Sequence, residues 1–236
     1  MPMSGEVSET REREWWVPPF GPRRFRLLVG LSFYPYSLMN ASYVVIGSLL
    51  AAAVNYDRMA GMALAYLLAV GVSAHSLDAM APNKPWGDFL TRRQLGGLAA
   101  VALVLALGIG LYYALLFAPL MLPLGAAELF FLLAYNLELF GGRFHTDFWF
   151  ATSWGFLPVL VGYVLQTDSL SLASLCGGLF GFFTAYVEIS ASRPYKALKR
   201  EGRDLQAASR FESVLKAVVA TVLATALMLL LLSFQK

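Results

Sequence analysis

Seven runs along the chain are apolar over the length that a membrane crossing needs, and short polar clusters separate them. A spanning helix takes about 20 mostly apolar residues, because the hydrocarbon core is about 30 Å thick and each helical residue advances about 1.5 Å. The runs lie near residues 27–54, 59–77, 95–115, 120–140, 148–166, 170–190 and 213–233. They predict an all-α fold, a polytopic transmembrane helical bundle of about seven spans. Between the third and fourth runs stands Pro119, which lacks an amide donor and marks a tight reversal. Residues 1–22 read as a flexible polar tail closed by Pro18, Pro19 and Pro22, and residues 23–236 as the transmembrane domain.

Composition agrees with this pattern. Hydrophobic residues make up 58% of the 236 positions and charged residues 14%, which excludes one soluble core inside a solvated shell. The single cysteine, Cys176, excludes a disulfide framework and a cysteine metal cluster. The start, MPMSGEVSETREREWW, lacks the pattern of a secretory signal, so insertion falls to the first apolar run.

Basic residues set the expected direction, because Lys and Arg in short loops stay cytoplasmic. With the N-terminus inside, Arg23, Arg24, Arg26, Lys84, Arg92, Arg93, Arg143 and the stretch 193–210 share one side, while Arg58, Asp57, Asp168 and Lys236 fall outside. The expected location is a multi-pass integral membrane protein of a prokaryotic plasma membrane. The net charge of +3 thus reads as a topology signal that also attracts anionic headgroups or a phosphorylated substrate, not nucleic acid.

At the predicted cytoplasmic ends the chain gathers its chemistry. His75 and Asp78 are three residues apart on one helical face, in "GVSAHSLDAMAPNKPWGD". Glu138, Arg143, His145 and Asp147 follow in "LELFGGRFHTD", and Glu188 lies near the end of the sixth run. Both histidines of the chain fall in this layer. Ionisable groups at membrane depth are costly and usually face a cavity, a partner or a ligand. The alternative is that each charge sits at the headgroup interface or caps a helix end. Glu128, inside the fourth run, receives no role.

The order of these segments resembles the UbiA superfamily of intramembrane prenyltransferases. "RRFRLLVGLSFYPYSLMNASYVVIGSLLAA" is similar to that family's opening helix, and "GVSAHSLDAMAPNKPWGDFLTRRQL" lies where the family carries Asn-Asp-x-x-Asp-x-x-x-Asp. "AYNLELFGGRFHTDFWFATSWGFLPVLVGY" is similar to the tyrosine-bearing helix end, basic turn and Gly- and Pro-containing helix that follow. Within the motif, Ala74 stands at the asparagine, His75 at the first aspartate, Asp78 at the second and Pro82 at the third. In the second motif the nearest acid is Glu188, in "YVEISASRPYKALKREGRD".

The resemblance implies a Mg²⁺-bridged prenyl diphosphate at a cytoplasm-facing cavity, with a prenyl tail held between helices. One reading is then a divergent transferase on an isoprenoid diphosphate or related lipid. Asp78, His75 and Glu188 are its catalytic positions, and Lys84, Arg143, Arg193, Lys196, Arg200 and Tyr135 bind substrate. A second is a lipid-acting metalloenzyme with His75, Asp78, Glu138, His145 and Asp147 around Zn²⁺, Fe²⁺ or Mn²⁺, which suit mixed His and carboxylate donors. A third is a non-catalytic lipid-binding membrane subunit. Gly177, Gly178 and Gly181 in "CGGLFG" read as a small-residue packing stripe in all three.

Overall fold

The structure, a computed structural model, describes residues 14–80, 90–202 and 204–235, and within these the chain is all-helical, with no strand. The helices are α1 (Arg23–Leu31), α2 (Tyr34–Leu49), α3 (Tyr56–Ala79), α4 (Arg92–Leu116), α5 (Met121–Asn136), α6 (Asp147–Thr167), α7 (Leu172–Glu201) and α8 (Leu205–Ser233). Of these, α3, α4, α6, α7 and α8 are long and apolar enough to cross a membrane, as befits an integral membrane protein.

The other two predicted runs are helical but shorter. Phe33, at a left-handed φ of 43°, breaks the first run, and α2 restarts after it with proline in its first turn. Left-handed Glu138 and Phe140 end the fourth run in an irregular turn. At 16 residues each, α2 and α5 advance ~24 Å, less than the hydrocarbon thickness.

Helix α2 is the hub, with twelve of its 16 residues buried. It lies close against α6 because glycines remove the Cβ atoms between the backbones: a Cβ on Gly47 would clash with the Val159 carbonyl, and one on Gly162 with the Val44 carbonyl. Such small-residue contacts drive association in lipid, where the hydrophobic effect is weak. Ser48 Oγ adds a hydrogen bond to the Gly162 carbonyl at 3.0 Å. Gly155 of α6 and Gly181 of α7 make the same kind of close approach, so the "CGGLFG" stripe faces a helix. Large apolar side chains such as Val101, Val104 and Leu111 on α4 and Leu227 and Leu231 on α8 remain exposed, a surface compatible with contact to a bilayer.

Residues 14–17, part of the expected tail, are packed against the bundle. Trp16 is 2% exposed, and its indole donates to the Gly30 carbonyl. Glu14 accepts from Tyr195 Oη at 2.5 Å and from Lys199 Nζ at 3.0 Å. The apolar indoles and an ion pair hold a segment whose composition reads as solvated.

Candidate functional site

Three backbone irregularities converge on His75. The residues before it, Leu67–Ala74, form a π-helical stretch; Thr152–Phe156 in α6 form another; and Phe33 breaks the chain between α1 and α2. A π-segment widens a helix locally and re-aims the side chains around it, a frequent feature of functional sites. Here the imidazole stacks on Phe33 with ring centroids 4.6 Å apart and stands 6.0 Å from Trp154.

Trp154 stacks in turn on Phe150 at 4.9 Å, Phe150 approaches Tyr135 at 5.6 Å, and Tyr135 stacks on His145 at 4.3 Å. The two histidines are thus the ends of one aromatic ladder, with Trp154, Phe150 and Tyr135 between them. His145 Nδ1 also lies 3.1 Å from the Tyr135 carbonyl, the geometry of an N–H donated to it.

Basic groups surround this ladder. Arg193 Nε stands 2.7 Å from Asp147 Oδ1, an ion pair without hydrogen-bond alignment, and Arg193 Nη2 donates to the His145 carbonyl at 3.3 Å. Lys196 Nζ lies 5.9 Å from the centre of the Phe33 ring, and Glu188, eight positions earlier on α7, is buried. Arg200 turns back to its own helix, donating to the Lys196 carbonyl.

The expected site residues therefore divide. Tyr135, His145, Asp147 and Arg193 come together in one group, while Glu188 is buried on α7 and Lys196 lies near Phe33. His75 packs among rings, with partly exposed Asp78 one turn further on. Glu138 and Arg143 are exposed on the irregular turn, and Lys84 lies outside the described residues.

The donors proposed for a metal lie apart from one another or already meet protein groups on one side. His145 and Asp147 are committed to Tyr135 and Arg193, and among the described residues no three His, Cys, Asp or Glu stand as a metal-holding group.

An apolar cavity lies elsewhere. Between α3, α4, α5 and α6 lies an apolar chamber of about 370 Å³, walled by residues such as Met62, Ala106, Leu111, Met121 and Val161. Its polar members are Tyr66 and Glu128, joined by a hydrogen bond from Tyr66 Oη to Glu128 Oε1 at 2.9 Å. A small second pocket, the neck, has Val70, Glu128 and Leu132 in its walls as the chamber does, together with Asn40, Ala74 and Trp154, the last of which faces His75. Sequence reasoning missed Glu128. Its signal was a lone carboxylate inside the apolar run "PLGAAELFFLLAYN", the type of intramembrane acid that marks function by default.

The chain matches no protein-family model, no curated protein and no solved structure.

Proposed function

We propose that the chain is a divergent UbiA-like intramembrane transferase acting on an isoprenoid diphosphate or related lipid. The observation that carries this reading is the apolar chamber between α3, α4, α5 and α6, with the small neck beside it that reaches Trp154. A chamber with apolar walls suits a lipid tail, and the cations of α7, outside the cavity walls, suit an anionic headgroup.

In this reading about seven segments cross a prokaryotic plasma membrane with the N-terminus cytoplasmic, the short α2 and α5 included. Lys196, Arg193 and Arg200, with Lys84 and Arg143 from the flanking loops, meet the diphosphate oxygens and stabilise the charge that grows as the leaving group departs. In this reading His75, Asp78 and Glu188 orient the acceptor and take its proton. Tyr135 carries the aromatic ladder that fixes His145 and, through it, Arg193.

The test is transfer of radiolabel from a prenyl diphosphate to membrane lipid by purified protein in nanodiscs, wild type beside Lys196→Ala and Asp78→Asn. Transfer that falls at least about tenfold in each variant, the size expected for losing a charged contact, supports the reading. Retention of the labelled lipid without transfer supports instead a lipid-binding subunit, which the commitment of His145 and Asp147 to internal partners favours. Neither retention nor transfer overturns both.

A further inference from the structure

The polar groups around the neck have an unequal balance of donors and acceptors. Asn40 Nδ2 donates to the Trp154 carbonyl at 2.8 Å, Asn136 Nδ2 to the Leu132 carbonyl at 2.8 Å, and Ser153 Oγ to the Trp149 carbonyl at 2.9 Å. Tyr66 gives its hydroxyl proton to Glu128. These donors are spent on the protein itself. Left over is Asn40 Oδ1, on a side chain 2% exposed, which accepts no hydrogen bond among the described residues. Beside it is the Glu128 carboxylate, whose seen donor, Tyr66, occupies Oε1.

A buried acceptor without a donor costs free energy, and the cost is recovered when a ligand supplies an O–H or N–H. An anionic head does not match, because no Lys, Arg or His lines either cavity among the described residues. Size narrows the choice further. The neck holds about 20 Å³, room for one water-sized group and too little for a phosphate or a sugar. An ammonium fits the charge of Glu128 but pays a larger desolvation cost than a neutral hydroxyl.

We propose that the chamber and neck form a binding site for a single-chain lipid alcohol, its tail among α3, α4, α5 and α6 and its hydroxyl donated to Glu128 beside Asn40. The proposal rests on the reading of the chamber as a lipid site and adds the class of head that it selects.

The experiment uses full-length protein in nanodiscs and a photoreactive myristyl alcohol, with unlabelled myristyl alcohol, myristic acid and myristyl amine as competitors. Crosslinks map to α3 and α5, and the alcohol competes about tenfold better than the acid, the difference that one satisfied buried acceptor makes. Glu128→Gln reduces that preference to near parity, whereas Tyr66→Phe, which frees Oε1, keeps it or enlarges it. Equal competition by alcohol and acid in the wild type overturns the head-group inference, as does a preference that Glu128→Gln leaves intact. A stronger amine than alcohol overturns the neutral head and assigns Glu128 as a cation partner. No crosslink in the chamber with any head overturns the chamber as a lipid site as well. The wild-type comparison needs no variant to fold, so it decides even if Glu128→Gln is unstable.

Discussion

The aromatic layer around the two histidines and the chamber around Glu128 are built from opposite balances. In the layer, rings and ions meet one another: His75 stacks on Phe33, His145 stacks on Tyr135, and Asp147 pairs with Arg193, although Asp147 Oδ1 accepts no hydrogen bond among the described residues. In the chamber the walls are apolar apart from Tyr66 and Glu128, and in the neck beside it Asn40 Oδ1 accepts no hydrogen bond among the described residues. Residues that look chemical in a sequence can be the ones that structure has already used. Unmet bonding capacity is the better guide to where a ligand sits.

The comparison breaks most severely if the two regions are not separately supported. Gly155→Val forces a side chain into the Gly181 backbone and wedges α6 from α7, at a cost of roughly 3 kcal/mol from overpacking. Thermal unfolding in detergent, followed by tryptophan fluorescence, should show the loss; wild-type stability would mean that the helices do not approach so closely.

Next in size is a chamber-filling change. Ala106→Phe places a ring in the cavity wall, and lipid crosslinking there should fall by about tenfold as the apolar surface available to a tail is lost. Tryptophan emission from the ladder should stay as in the wild type. A shift in that emission would show that chamber and layer are coupled, which erases the distinction between them.

His75→Ala should cost about 1 kcal/mol, the scale of an aromatic contact beyond area burial. A double-mutant cycle with Phe33→Ala isolates the stacking, and zero coupling would remove His75 from the ladder. The smallest effect belongs to Asp147→Asn. Its ion pair with Arg193 is partly exposed on both sides, at 30% and 45%, so the coupling in a cycle with Arg193→Gln should be no more than about 0.5 kcal/mol and should shrink further in high salt.

Much of the fold was legible because helix formation in lipid depends on local composition. Six of the apolar runs became single helices and the first became two, and the reversal at Pro119 sits where a missing amide donor put it. The break at Phe33 was not legible, since nothing in a run of apolar residues announces a left-handed phenylalanine. The packed Trp16 was hidden for a related reason: a polar segment does not reveal which of its indoles finds a groove. Within the site, "GGRFHTD" announced His145 and Asp147 as chemistry-bearing, but not that Tyr135 and Arg193 would absorb them.

By itself the sequence determined the class of solvent, the helical content and the polar level that holds both histidines, because each follows from the cost of exposing backbone or charge to hydrocarbon. Tertiary structure alone decided which polar atoms were left over. That Asn40 would spend its amide on Trp154 across 114 residues, and that Glu128 would meet Tyr66 at a chamber wall, depends on glycine-mediated helix approach and on two π-segments. Hydrogen-bond satisfaction is settled within a few tenths of an ångström in space, a scale on which separation along the chain carries no information.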